Sequence, residues 1–285
     1  MPGILYVVAT PIGNLEDVTL RALRVLREAT VIAAEDTRRT ARLLQHYSIS
    51  TPTTSLHEHN EHTRSGKLIE RMLAGDSVAL VSDAGTPVIS DPGGRLIAAA
   101  HGHGIRVEPI PGPNAAIAVL SGAGLGGDGF VFAGFPPSRS SDRTKWFDAL
   151  SEEPRPIVVY EAPHRILATL ADIAERLGPR NVAIGRELTK AHEHLVIKPI
   201  SEWLQAPPPE RGEFTLVISG FERPVRTAES PPDDSAIGTF FGHLTQSAEI
   251  GRREAIKRTA EHFQLPTRAV FAALDREKDK ALDIN

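Results

Sequence analysis

Acidic, basic and turn-forming residues recur in this chain directly behind short apolar runs. Thr10-Pro11-Ile12-Gly13-Asn14 follows the first run, Glu35-Asp36-Thr37-Arg38 the second, Ser82-Asp83-Ala84-Gly85-Thr86-Pro87 the third and Pro111-Gly112-Pro113-Asn114 the fourth. If the runs are strands of one open parallel sheet, all these segments leave its carboxyl edge, where such sheets bind ligands. Glycine lets a ligand approach the backbone closely, and proline fixes the loop around it. A single loop of this composition reads as an ordinary turn; the same composition behind all four runs points to a pocket.

Charged groups fall at the same places. Arg38, Arg39 and Arg42 come directly after the second run, where they serve either as a solvated helix face or as phosphate contacts beside the pocket, and their position favours the contacts. Farther on, Tyr160-Glu161-Ala162-Pro163-His164-Arg165 and Arg186-Glu187-Leu188-Thr189-Lys190 also end apolar runs. They suit the opposite wall of an interdomain cleft, and equally a buried Arg–Glu pairing. Two other patterns mislead. Gly122, Gly124 and Gly127 spell GxGxxG, but they follow a helix-like run and open no helix, so the dinucleotide reading fails. His57-Glu58-His59-Asn60-Glu61-His62 invites a metal, yet has neither HExxH nor HxxEH spacing and reads as a solvated or substrate-binding stretch. GxSxG and Walker lysine motifs are absent, so neither serine-hydrolase nor P-loop chemistry is supported.

The elements that must position these residues alternate. Strands are expected at residues 4–9, 31–34, 78–81 and 105–110, the first and third continuous in hydrophobicity, as in strands buried on both faces. Leu15, Val18, Ala22, Val25 and Ala29 predict one helix, with Asn14 as N-cap and Asp17 at its third position. Further helices are expected over 40–47, 61–74 and 94–103. This βαβ alternation gives a mostly parallel N-terminal sheet over residues 1–121. The glycines from Gly122 to Gly129 mark a boundary. Beyond it, strands at 130–135, 157–161, 182–186, 194–198 and 213–219, a helix at 165–177 and a hairpin around 189–193 predict a second α/β domain with a mixed sheet, residues 122–222. Residues 223–234 read as a polar, proline-bearing linker, and 235–285 as a small helical tail carrying Arg252, Arg253, Lys257 and Arg258.

Composition narrows the class. With 285 residues, 41% hydrophobic, the chain is long enough for two domains. Lys+Arg 32 against Asp+Glu 36 gives 32 − 36 = −4, which disfavours a protein that coats nucleic acid non-specifically but permits a local basic patch. The count of 0 cysteines excludes disulfides and thiolate chemistry. No apolar run reaches the roughly 20 residues of a membrane helix, and the start lacks a basic signal-peptide region, so a cytoplasmic protein is expected.

ATPIGNLED, AEDTR, SLHEHNE, SDAGTPVISDPG, PIPGPNAAIAVLSGAGL, AGFPP, YEAPHRI, RELTKAHE and GEFTLVISG occur in that order between Ile4 and Gly220. Together they resemble the ribosomal small subunit methyltransferase I family, within the tetrapyrrole-methylase (class III) superfamily. The resemblance implies a two-domain α/β fold that binds S-adenosyl-L-methionine in its interdomain cleft, as a homodimer. It further implies 2′-O-methylation of a cytidine in the decoding region of 16S rRNA, within the assembled small ribosomal subunit. Cofactor contacts carried over from the superfamily are Pro11, Asp83, Gly85, Thr86, Ile89, Asn114, Ala115, Ala116, Tyr160, Glu161, Ala162 and Thr215. Ser82 and Ala84 replace glycines of the superfamily's GxGxP-like loop. A weakly acidic 2′-hydroxyl calls for a base, for which Glu35, Asp36, His57, Glu187 and Lys190 are candidates and Glu35 or Glu187 is preferred. Arg38, Arg39, Arg42, Arg252, Arg253, Lys257 and Arg258 form the expected RNA patch. Two other readings stay open at this point: a corrin or porphyrin precursor methylase on the same fold, and a non-catalytic ribosome-assembly factor.

Overall fold

The computed structural model describes residues 2–127, 129–222, 233–247, 250–263 and 265–282. The linker expected at 223–234 lies outside them except for Asp233 and Asp234. The chain divides into two compact units, Met1–Phe221 and Glu222–Asn285.

The larger unit contains two sheets. The first is five-stranded and wholly parallel, in the order β3-β2-β4-β1-β5, with β1 Ile4–Val8, β2 Val31–Ala34, β3 Thr53–Ser55, β4 Val78–Val81 and β5 Arg106–Ile110. Every residue of β2 and β4 is buried, as expected of strands covered on both faces. Helices α1 Leu20–Glu28 and α2 Thr37–His46 cover one face, and α3 Glu61–Leu73 and α4 Gly94–Gly102 the other. The chain moves from β1 outward to β2 and β3, returns to β4 beside β1, and then crosses to β5 on the far side. The strand order therefore reverses between β4 and β1, the position where doubly wound sheets open a crevice.

The second sheet is also five-stranded, in the order β6-β7-β10-β8-β9, with β6 Val131–Gly134, β7 Ile157–Glu161, β8 Asn181–Arg186, β9 His194–Pro199 and β10 Phe214–Ile218. Only β6 and β7 pair in parallel, so the sheet is mixed. One face packs on α5 Ala115–Ala123 through Ala116, Val119 and Ala123. The other packs on α6 Ser140–Ala149, α7 Ile166–Asp172 and α8 Ile200–Gln205, with Phe147, Ile166, Leu170 and Trp203 in its core.

Several elements depart from expectation. The helix predicted from Leu15 to Ala29 is broken: a 3-10 turn, Leu15–Asp17, is capped by Asn14, Val18 is extended, and α1 starts anew on a Thr19 cap whose hydroxyl accepts from the Ala22 amide at 3.1 Å. Two capping side chains close together each terminate a backbone ladder, and local hydrogen bonding outweighs the apolar period. The helix expected at 165–177 is a 3-10 turn, then α7, then a π-helical segment Ile173–Leu177. The edge strand β3 and helices α6 and α8 are additional to the predicted elements.

The smaller unit holds α9 Asp234–Ser247, α10 Arg252–His262 and α11 Thr267–Leu282. Ile237, Ile256, Val270, Ala273 and Leu274 form its core. Among the described residues no helix is long and apolar enough to cross a membrane.

One buried carboxylate ties α3 to α4. Glu61, 8% exposed, accepts from the amides of Gly93 at 3.1 Å and Arg95 at 2.8 Å, two of the donors a helix start leaves unpaired. Glu61→Ala should lower the unfolding free energy by about 2–4 kcal/mol, because one buried and one part-buried amide lose their acceptor. Glu61→Gln keeps an acceptor oxygen and should cost less than half as much, a difference that urea denaturation can resolve.

Candidate functional site

The loops at the carboxyl edge of the first sheet are laced to one another. Thr10 and Gly85 exchange backbone hydrogen bonds of 2.9 and 3.0 Å, joining the loops after β1 and β4 across the reversal point. Gly85 takes φ +80°, which brings its backbone against the crevice at little steric cost. The Thr86 hydroxyl donates to the Pro113 carbonyl at 3.0 Å, fastening the loop after β4 to the loop after β5. On the other side the Asp83 amide donates to Glu35 Oε2 at 3.2 Å. Asp83 Oδ1 accepts from the Asp36 amide at 2.9 Å, and its other oxygen faces Arg39 at 3.4 Å.

Together with strand ends of the second sheet, these loops enclose a cavity of about 450 Å³. Glu35, Arg39, Asp83, Gly85, Thr86, Ile89, Asn114, Ala115, Tyr160, Glu161, Ala162 and Thr215, all singled out from the sequence, line it. Pro11 and Ala116 do not: Ile12 takes the place of the first, and Ala116 is buried against the second sheet. Glu187, Lys190 and His57 lie outside the lining as well. Lys190 Nζ bridges Glu187 at 2.9 Å and Glu213 at 2.8 Å, so these residues brace the β8–β9 hairpin. The hydrogen bond from Lys190 holds the Glu187 carboxyl below its usual range. Burial works against the Lys190 ammonium, but its bonds to Glu213 and Glu187 outweigh that and leave it raised. The His57 ring contacts the Asn60 amide through Nε2 at 3.0 Å, while its Nδ1 is buried without a partner. The HEHNEH stretch thus caps α4 through Glu61 and orders its own turn through Asn60.

Glu35 and Asp36, adjacent in sequence, differ in character. Burial pushes the Glu35 carboxyl up, opposed by the Asp83 amide and reinforced by the Asp83 charge. Asp36 instead caps α2 and grips Arg38 with both oxygens, at 3.1 and 2.9 Å, which draws it down to about 2. Arg38 is exposed but occupied in that pair, Arg42 is exposed, and Arg39 reaches the cavity. In the smaller unit Arg252, Arg253, Lys257 and Arg258 are all exposed on α10, with Arg258 bonded to Glu254 at 3.1 Å.

Sequence reasoning missed Asp91, which also lines the cavity. Burial, followed by the charge of Glu35, pushes its carboxyl up to about 6 against a hydrogen bond from Ser82. The residues preceding it carry strain: Val88 and Ser90 both sit in the left-handed region, φ +74° and +66°. For a β-branched residue that conformation is a true outlier. Asp91 lies in the quoted SDPG, but nothing in the spacing says that the loop turns its carboxylate inward.

The second wall is held by a buried ionic network. Glu161, 2% exposed, accepts from the Ala162 amide at 2.8 Å and from Arg165 Nε at 2.7 Å. It also accepts from the Thr169 hydroxyl and lies 3.6 Å from Arg143. Both readings weighed for YEAPHR therefore apply, since Glu161 is buried against a half-buried Arg165 and the strand end lines the cavity. Burial also raises the phenol of Tyr160, opposed by a hydrogen bond that its oxygen accepts from the Ala116 amide. The two walls meet where Gly13 packs on the β8–β9 connection: a Cβ there would lie 2.7 Å from Thr189 Oγ1, which accepts from the Asn14 amide at 2.9 Å.

The titration of Asp91 has a stability consequence. An unfolded aspartate titrates near ~3.9, so the folded protein holds a proton that the unfolded chain has released until about pH 6. That contribution is complete below the unfolded value and is lost as pH rises through the folded one. Asp91→Asn should therefore stabilise the protein by about 2 kcal/mol near pH 8, allowing for partial solvent screening. The gain should vanish below about pH 4, which thermal or urea unfolding at the two pH values will show.

Comparison with known proteins places these features in a family. Residues 4–203 match Tetrapyrrole (Corrin/Porphyrin) Methylases. The Ribosomal RNA small subunit methyltransferase I of Synechocystis sp. is 44% identical, over 97% of this chain and 99% of that protein. Its namesake in Pseudomonas aeruginosa is 48% identical, over 78% of this chain and 80% of the relative. Among solved structures, the uroporphyrin-III C-methyl transferase of Thermus thermophilus complexed with S-adenyl homocysteine aligns with a TM-score of 0.55 at 19% identity, covering 76% of this chain and 97% of that one, and so shares the fold.

Proposed function

We propose a reaction for this chain from one premise: it belongs to the ribosomal RNA small subunit methyltransferase I family, within the tetrapyrrole methylases. In this reading it methylates the ribose 2′-hydroxyl of a cytidine in the decoding region of 16S rRNA, with S-adenosyl-L-methionine as donor. The observation that carries the reading is the cavity at the β4–β1 reversal point. Of the five carboxylates that line it, Asp83, Glu161 and Glu213 are each paired with arginine or lysine, which leaves Glu35 and Asp91 to face a ligand and suits a cationic sulfonium better than an anion. Its volume of about 450 Å³ is that of a site for one medium-sized ligand. Residues 1–121 and 122–222 act as the two walls of the cleft.

When bound, S-adenosylmethionine supplies a methyl group activated on sulfur. Asp83, Gly85, Thr86, Ile89, Asn114 and Ala115 would hold it from the first wall, and Tyr160, Glu161, Ala162 and Thr215 from the second, with Pro11 and Ala116 backing them. The chain's main task is alignment, because an in-line displacement gains most from fixed geometry. Glu35 is the preferred proton acceptor: it faces the cavity, and burial makes it a stronger base than an exposed glutamate. Glu187, ionised and braced by Lys190, acts indirectly by keeping the hairpin against Gly13 and Asn14. His57 and Lys190 serve as supports of these loops.

Arg38, Arg39 and Arg42 in the larger unit, and separately Arg252, Arg253, Lys257 and Arg258 in the smaller, each supply positive charge for an RNA read mainly by its shape. The active form in this reading is a homodimer acting on assembled small subunits.

Glu35→Gln should slow single-turnover methylation at saturating donor by roughly a hundredfold or more, with calorimetry confirming that the donor still occupies the site. Glu187→Gln should slow it by about tenfold or less. A near-normal rate in the Glu35 variant would rule out proton acceptance by that carboxylate, and a near-normal rate in the Glu187 variant would rule out its bracing role. The activity itself is tested by mass spectrometry of rRNA nucleosides from cells with and without the protein. A 2′-O-methylcytidine should be lost in its absence and restored when purified protein is added to assembled small subunits, whereas a short unstructured oligomer should be a poor substrate. Unchanged nucleosides would refute the assignment.

A further inference from the structure

Phe135 follows the last residue of β6 and is half exposed, at 50%, while lining the cavity. Its ring is nevertheless fixed from behind. Tyr160 lies against it at a centroid distance of 5.5 Å, and Phe132 backs Tyr160 at 5.1 Å. The next residue, Pro136, is buried, and its carbonyl accepts from Arg165 at 3.1 Å, the guanidinium that Glu161 also holds. Gly134, with φ +70°, lies against Ser90 of the loop after β4: a Cβ there would stand 3.7 Å from the Ser90 hydroxyl. The mouth of the cavity therefore carries a flat aromatic face, open to solvent on one side and buttressed on the other by Tyr160 and the Arg165–Glu161 ion pair.

Size decides what that face can meet. A cavity of about 450 Å³ is that of a site for one medium-sized ligand, so a bound donor leaves little of its interior to a nucleotide, which must enter from the open mouth. The nucleobase of that nucleotide must then rest at the rim, out of its helical stack. An unstacked base in water has lost its neighbours' faces, and an aromatic side chain is the usual replacement. We infer that Phe135 is the stacking platform for the nucleobase of the acceptor nucleotide, so that the substrate is taken as a splayed-out nucleoside. This inference rests on the reading that the acceptor is a ribose in RNA. Stacking of this kind tolerates any base, so Phe135 contributes acceptor affinity and positioning, and selection among bases comes from other contacts.

The test uses full-length protein, small ribosomal subunits from cells lacking it, and Phe135→Ala, Phe135→Leu and Phe135→Trp variants. Phe135→Ala and Phe135→Leu should each raise the subunit concentration giving half-maximal methylation by on the order of tenfold. Phe135→Trp should stay within about twofold of wild type, since a flat ring is kept. Donor affinity, measured by calorimetry with S-adenosylmethionine alone, should be the same in all variants and also reports that each is folded. A Leu variant equal to wild type would overturn the inference, because any apolar group would then suffice. So would a loss of donor affinity in step with activity, which would place the ring on the donor. If wild-type protein leaves the subunits unmodified, the reading of the preceding subsection fails and takes this one with it; a modified subunit with an indifferent Phe135 defeats the stacking alone.

Discussion

Asp83 sits just beyond the carboxyl end of β4, where its amide donates to Glu35 while its carboxylate accepts from the Asp36 amide and faces Arg39. Two residues later Gly85 pairs with Thr10, and Thr86 reaches Pro113. The loop after β4 is thus bonded to the loops after β1, β2 and β5. A charge-assisted bond at partial burial is stronger than a neutral one. More important here is its geometry: loops left to themselves would splay into solvent, but these are pinned to one another around a cavity.

That pinning has a conformational cost. Left-handed Val88 and Ser90 each store about 1–3 kcal/mol, and Asp91 is held where its charge is disfavoured. The offset comes from outside the loop. Glu61 fastens Gly93 and Arg95 at the start of α4, and the packed β2 and β4 leave the strand ends no freedom to relax. The second wall follows the same logic, with Glu161, Arg165, Thr169 and Arg143 forming a buried network under Tyr160 and Ala162. A partly satisfied network of that kind would be destabilising, so its several bonds to one carboxylate matter together.

The parallel strands were legible because continuous apolar runs leave few alternatives: residues 31–34, 78–81 and 157–161 form strands with the expected limits. Helix ends were read less well where caps compete with periodicity, as at Thr19, and a three-residue edge strand such as Thr53–Ser55 carries too little hydrophobicity to stand out. The π-helical turn at Ile173–Leu177 leaves an apolar pattern that an α-helix would also show.

What the sequence determined by itself was the alternation of strand and helix, the family, and the fact that glycine, proline and carboxylates gather behind successive strands, since these depend on local period and residue type. Tertiary structure alone decided which of those carboxylates share the cavity. Glu35 and Asp83 meet because β2 neighbours β4, and Asp91 joins them because a strained turn folds it inward. Glu187, with much the same local signature, is drawn off by Lys190 to brace a hairpin. Residue type fixes what a side chain is able to do, but its pKa and its neighbours come from burial and from contacts across scores of residues, which no local pattern encodes.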